Sequence, residues 1–335
     1  MGYSWSMRKA LIAILTLIIG LSVISPTSAN PNSTKGKGVP NANASGYWTE
    51  ERRNNAIPRE FQFEVGATEG KLVPQARKGG SGGGGSTTSG TTYWNSNNQG
   101  QLVALITGKV FFDMGGKSYV CSGSLVEDGK TEIAVVITAA HCLWDNATSS
   151  FATNWVFYPN YDKDAGILNR KSYAASRLYA PIAFTGQSTF NTTAILNDFA
   201  FAVLPTSDLN IAGLPLISTA SSFTGNKGDA FGYPASSPFD GEELVYSTGS
   251  VSTDRNTGNK TWRLPSSMTG GASGGPWYNG YTSGISVGSV SSVNSYKYGN
   301  DKNSMYGPKF NSLTNDLYAM AKSGICSPNS IINCN

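Results

Sequence analysis

From residue 100 onward the chain is a series of short apolar runs, each closed by a turn signal, and this rhythm restricts its fold more than any other feature. Residues 102–106, 109–112, 118–121, 133–138, 154–158, 199–204, 244–247 and the glycine-interrupted stretch 281–290 read as strands. Met114-Gly115-Gly116, Glu127-Asp128-Gly129-Lys130 and Thr257-Gly258-Asn259 read as turns between them. Many short strands with glycine-rich turns predict an all-β sandwich or barrel. A helix is expected only near the end, over residues 312–322, where Leu313, Leu317 and Met320 share a face. Only 14% of the residues are charged and 39 of 335 are glycine, which excludes a coiled coil and charge-driven disorder.

The first 92 residues differ in kind. Arg8 and Lys9 precede an uncharged apolar run over residues 10–24, and Thr27-Ser28-Ala29 supplies small residues for cleavage. The run is short for a bilayer span, so residues 1–29 are expected to be a signal peptide rather than an anchor. Residues 30–92 are expected to be a pro-region ending in a Gly/Ser-rich linker over 79–92, with residues 93–335 as the main domain. A permanent tether to a small accessory module is the competing reading. Thr49 is positioned to cap a short helix that begins with Glu50 and Glu51. The net charge of +4 divides into 10 basic against 5 acidic groups in residues 1–92, and 15 against 16 from residue 93. The main domain is therefore near neutral, which gives no reason to expect a nucleic-acid or acidic-surface partner. Export to the extracellular space, or to the periplasm of a Gram-negative source, is expected, with no stable membrane association after signal cleavage.

Four cysteines in an exported chain are expected to pair. Three connectivities exist. Pairing by neighbourhood, Cys121–Cys142 and Cys326–Cys334, is the simplest. The chain has one histidine, His141, so a histidine-cluster metal site is excluded and any chemistry needing an imidazole must use this residue. It lies in Thr138-Ala139-Ala140-His141-Cys142, where a strand ends in small residues. A second segment, Asn197-Asp198 followed by Phe199-Ala200-Phe201, starts an apolar strand with a carboxylate. A third, Gly270-Gly271-Ala272-Ser273-Gly274-Gly275-Pro276-Trp277, surrounds a serine with residues that allow tight turns.

Together with Cys121-Ser122-Gly123-Ser124-Leu125, these segments occur in the order of the chymotrypsin-like (trypsin-fold) serine endopeptidases, and the chain resembles that family over roughly residues 100–320. Phe231-Gly232-Tyr233-Pro234 and Met268-Thr269-Gly270-Gly271 resemble its bacterial secreted, glutamyl-endopeptidase-like branch. The resemblance implies two six-stranded antiparallel β-barrels and a short C-terminal helix. It also implies Ser273 as nucleophile, His141 as general base, Asp198 as the group orienting the imidazole, and the N–H groups of Gly271 and Ser273 as oxyanion donors. Protein or peptide substrates, no cofactor, no metal and a monomeric enzyme go with it.

Two departures from the family matter. Ala272 stands where trypsin-like animal enzymes have an aspartate that pairs with a new N-terminus, so activation is not expected to use that ion pair. Ser267 stands six residues before the nucleophile, where trypsin-like pockets carry an acid, and no acidic residue occurs between Arg255 and Ala272. Nor is there the second histidine that the glutamyl-specific branch uses. An uncharged pocket is expected, walled by Ser267, Met268, Thr269 and part of residues 285–290. The competing functional readings are a catalytically silent protease-fold binding module or adhesin and, more remotely, an esterase, whose elbow motif would require a following helix.

Overall fold

The computed structural model describes residues 1, 41, 43–73, 90–94, 101–130, 132–162 and 171–335. All of the expected signal peptide but Met1, and most of the expected linker, lie outside these. The molecule is built from curled, almost wholly antiparallel sheets with one substantial helix, Ser312–Ser323, near the C-terminus.

The first sheet grows from a hairpin. Strands Thr107–Met114 and Lys117–Val126 pair antiparallel from Thr107 opposite Ser124 to Met114 opposite Lys117. Gly115 and Gly116, both at positive φ (56° and 76°), form the two-residue turn that matches the twist of the strands. Ala134–Thr138, buried at every position, pairs on one side with Lys117–Val126 and on the other with Ala200–Leu204. Arg177–Pro181 and Ile332–Cys334 extend this edge, and Thr153–Pro159 pairs with Thr107–Met114 at the other. Strands buried on both faces read as continuous apolar runs, which is why residues 133–138 and 199–204 were recognisable.

The second half holds two further sheets. One runs Ser289–Val293, Pro276–Asn279, Lys227–Gly232, Val245–Ser250 and Thr91–Tyr93. The other contains Thr261–Pro265, Asp301–Pro308 and Tyr296–Tyr298. A separate apolar cluster including Leu264, Met268, Ala272, Trp262 and Trp277 fills it.

Two strand expectations are corrected. Leu102–Ile106 is a short helix burying Val103, Ala104 and Ile106. A five-residue apolar run satisfies either period, and here the helix packs beside the strand that follows it. Within 281–290 the strand starts only at Ser289, and Thr282 and Ser286 instead form an isolated bridge. The helix expected near the end is present. Asn311 and Thr314 close a capping box at its start, Gly324 at φ 69° terminates it, and Tyr318 stacks on Phe201 of the first sheet.

Residues from the expected pro-region join these sheets. Thr49 caps the helix Glu50–Asn55 by accepting from Arg52 N. Ile57–Pro58 pairs in parallel with Tyr119 and Val120, and Phe61–Phe63 pairs in parallel with Tyr296–Tyr298. Lys71–Leu72 then turns back antiparallel to Phe61 and Gln62.

Candidate active site

The register between Ala134–Thr138 and Ala200–Leu204 sets Ala200 opposite Thr138, so the residues just beyond each strand end meet. On one side is the 3-10 turn Ala140–Cys142, anchored by the Cys121–Cys142 disulfide and by Trp155 Nε1 donating to Cys142 O at 3.2 Å. On the other is Asp198. Its Oδ1 accepts from His141 N at 2.9 Å and its Oδ2 lies 2.8 Å from His141 Nδ1. Ser295 Oγ donates to the same Oδ2 at 2.5 Å. Both His141 and Asp198 are fully buried. A carboxylate withdrawn from water persists only with such a set of donors, and the pair of bonds to one residue sets the orientation of the ring.

Ser273 lies on the glycine loop between the two halves. Gly271 and Gly274 adopt φ of 97° and 81°, and a Cβ on Gly274 would fall 2.0 Å from Thr138 Oγ1. Only glycine permits that approach. The loop is held by neutral hydrogen bonds. Ser122 N donates to Ser273 O (2.7 Å), Ser122 Oγ to Gly271 O (2.8 Å), Gly274 N to Asn294 O (2.7 Å) and Asn294 Nδ2 to Ala272 O (2.9 Å). Ala272 is buried in the apolar cluster with Met268 and Trp277. The loop thus has its shape without an ion pair at that position. The N–H groups of Ala272, Gly274 and Gly275 are engaged by Thr269, Asn294 and Ala272 carbonyls, whereas those of Gly271 and Ser273 join no backbone bond among the described residues.

The serine does not face the histidine directly. Ser273 Oγ donates to Arg59 O at 3.0 Å, and His141 Nε2 is buried with no hydrogen-bond partner among the described residues. Arg59 also donates from Nε to His141 O (2.9 Å), and its Nη2 pairs with Asp145 at 3.3 Å. Burial holds its guanidinium pKa below the usual value, with Asp145 working in the opposite direction. Phe61 stacks on Phe190 at 4.1 Å, and each presents an edge or face to the imidazole at 5.5 Å. The segment around Arg59 therefore lies across Ser273 and His141.

Of the expected pocket residues, Met268 is fully buried, Ser267 Oγ is buried without a partner among the described residues, and Thr269 Oγ1 donates to Ser236 O at 2.7 Å. Residues 285–290 do not complete this wall. Ile285 is 83% exposed and lines a separate surface recess with Gln101 and Leu102. The facing strand is Tyr296–Tyr298, and Lys297 Nζ donates to Met268 O at 2.8 Å and to Lys302 O at 2.9 Å. A cation thus lies against the Met268 backbone, beside the stretch expected to line an uncharged pocket. Sequence reasoning also missed Arg59, Ser122, Asn294 and Ser295, since an isolated serine, asparagine or arginine carries no local signal of its partners. Cys121, His141 and Cys142 are grouped closely enough for a metal, but both sulfurs are spent in the disulfide. Cys326 bonds Cys334.

Comparison with solved structures gives these features a family. The protease Anisep from Arthrobacter nicotinovorans is 35% identical, with a TM-score of 0.57, over 66% of this chain and 96% of that one. The chain belongs to the chymotrypsin-like serine proteases. A thermostable serine protease, AL20, from an extremophilic microorganism is 34% identical over 66% of this chain and 98% of that one, with a TM-score of 0.54. A Glu endopeptidase is 22% identical at a TM-score of 0.53, a likeness of fold. The family described as "Lysyl endopeptidase, C-terminal domain" matches residues 80–212, which include His141 and Asp198 but end before Ser273. No curated protein matches. The chain is thus a bacterial trypsin-fold serine endopeptidase, and its curled antiparallel sheets and terminal helix are that fold.

Proposed function

We propose that this protein is a secreted endopeptidase working through His141, Asp198 and Ser273, and that it is made as a latent precursor. The observation that carries the reading is the buried Asp198–His141 pair standing beside a glycine-flanked serine whose hydroxyl meets a peptide carbonyl at 3.0 Å. With a substrate in place, Ser273 Oγ attacks the peptide carbon while His141 Nε2 takes its proton and then delivers it to the departing amine. Asp198, held by Ser295, keeps the proton on Nδ1 and stabilises the imidazolium. The Gly271 and Ser273 N–H groups receive the developing oxyanion, each contributing about 2.7–4 kcal/mol as in comparable sites. Water then attacks the acyl-enzyme by the same route. The chemistry calls for no metal or cofactor, and the substrates are proteins or peptides.

Latency follows from the pose of the bound segment. Ser273 donates to the oxygen of the Arg59 carbonyl, the wrong end for attack on carbon, and the hydroxyl is thereby drawn from Nε2. We take residues 30–92 as the pro-region, 93–335 as the protease and 1–29 as the export signal. The two disulfides fit an oxidising compartment, and no helix among the described residues is long and apolar enough to cross a membrane.

The unbonded Nε2 is also what a catalytically silent binding module would show, so the test must separate the two. The secreted protein, trimmed of its pro-region, is treated with a fluorophosphonate probe and its labelled peptide mapped, with Ser273→Ala as control. Labelling at Ser273 together with casein cleavage is expected. Folded, trimmed protein that takes no label would establish the binding module instead. Full-length precursor reacting as fast as trimmed protein would overturn latency.

A further inference from the structure

We propose that Lys297 is the specificity-determining residue of the first substrate pocket and that the enzyme cuts after acidic side chains, with Glu60 of the bound segment occupying their place. This rests on the endopeptidase reading above and adds its substrate class.

The pocket must adjoin Ser273, and two stretches border it there: Ser266 to Thr269, leading into the glycine loop, and the strand Tyr296–Tyr298, following Ser295. Lys297 is 5% exposed and reaches from the second stretch to the first. Its Nζ donates to Met268 O at 2.8 Å and Lys302 O at 2.9 Å, with Ser266 O at 3.5 Å. Carbonyls satisfy the hydrogens of an ammonium but do not cancel its charge, and an uncancelled buried charge is costly. Burial accordingly pulls the Lys297 pKa down to about 8, with Glu60 and then Asp301 opposing the shift.

Both acids have other partners: Tyr306 Oη and Asn303 N donate to Asp301, with Arg263 3.8 Å away, and Gln62 Nε2 donates to Glu60 Oε1 at 3.2 Å. Glu60 is 4% exposed and follows directly after Arg59, whose carbonyl meets Ser273 Oγ. It is seated against the glycine loop, where a Cβ on Gly270 would lie 2.9 Å from Glu60 Oε2 and 3.0 Å from Glu60 Cβ. Gly270 thus leaves room for a carboxylate-bearing side chain beside the nucleophile. Removing the segment takes away the first of the two acids, and an acidic substrate side chain restores it. Ser267 Oγ, buried and unpartnered among the described residues, adds a hydroxyl donor to the same wall.

The competing specificities fare worse. A lysine side chain would bring a second cation towards Lys297 in a buried space, although the family matched by residues 80–212 is described as lysyl endopeptidase. An uncharged side chain would leave the ammonium uncompensated.

The test uses trimmed, secreted protein, titrated with the fluorophosphonate so that rates are per reactive Ser273. Matched peptides differing only in Glu, Gln, Ala or Lys before the cut are compared. Glu is expected to exceed Gln in kcat/KM by about 10–150-fold, the range for a charge-assisted hydrogen bond. Lys297→Met should erase that ratio, with both rates taken per fluorophosphonate-reactive Ser273, and Lys297→Arg should retain part of it. Equal cleavage after Glu and Gln, faster cleavage after Lys, or an undiminished Glu preference in Lys297→Met would each overturn the proposal. Should Lys297→Met fail to fold, the wild-type ratio decides alone. Protein that never labels at Ser273 overturns the endopeptidase reading, and this inference with it.

Discussion

Ser273 and the Arg59 carbonyl that meets it belong to regions assembled by different means. The serine loop is embedded. Glycines at positive φ, buried amide bonds from Ser122 and Asn294, and the apolar contacts of Ala272 hold it from every side. The segment from Ile57 to Phe63 is attached at sheet edges by two short parallel pairings, and Arg59 bolts it between them. The bonds from Ser122 and Asn294 that hold the serine loop do not run to the segment Ile57 to Phe63, so on the reading proposed above the cover can leave without breaking them.

The strongest test strikes the embedded region. In trimmed protein, Ser273→Ala or His141→Ala should each lower kcat by about 10⁶, with the double variant little worse, read on a chromogenic peptide. The fold supporting this region should be sensitive too. Replacing both Cys121 and Cys142 by Ala should cost about 3 kcal/mol in urea unfolding of the Ser273→Ala protein, and opening the shorter Cys326–Cys334 loop somewhat less. The attached region is probed by Arg59→Ala in the full chain. Loss of its bonds to His141 O and Asp145 should speed fluorophosphonate labelling of the precursor by about 10–100-fold. The same substitution leaves the trimmed enzyme untouched, and an unchanged precursor would mean that the cover is held elsewhere.

The smallest effect is one of pH. Lys297 carries its charge below a pKa of about 8 and loses it above. The acids acting on it are Glu60 and Asp301; trimming removes Glu60, which lowers the midpoint, and uncovers the ammonium, which raises it. Preference for Glu over Gln should therefore be greatest on the acid side and decline as pH rises through the midpoint, by up to about tenfold per pH unit. A preference that is flat from pH 6 to 9 would remove the ammonium from the account.

How far the sequence was readable follows the same division. The lone histidine, the carboxylate before an apolar strand and the glycine-bounded serine declare themselves locally, because each needs particular neighbours in the chain. Strands buried on both faces, such as Ala134–Thr138 and Ala200–Leu204, do so as well. The role of Ile57 to Phe63 was illegible because its pairing partners, Tyr119 and Tyr296, are remote and strands of two and three residues are too short to show a pattern. Lys297 was overlooked for a related reason: the search for a pocket charge covered the stretch before Ser273, while the cation comes from a strand after it. Leu102–Ile106 failed by shortness, since five apolar residues suit either period.

One consequence concerns the strand Thr91–Tyr93. It pairs with Val245–Ser247, and Thr91 Oγ1 accepts from Ser267 N at 2.9 Å. On the latent-precursor reading, a cut that spares this strand falls upstream of Gly90, which moves the boundary back from the residue 92 taken above, and beyond the pairing of Lys71–Leu72 with Phe61. Such a nick severs the peptide backbone without dislodging the peptide. The liberated fragment would remain seated as a separate chain until it dissociates or is digested, so activity should emerge after a lag, and added fragment should restore silence in trans.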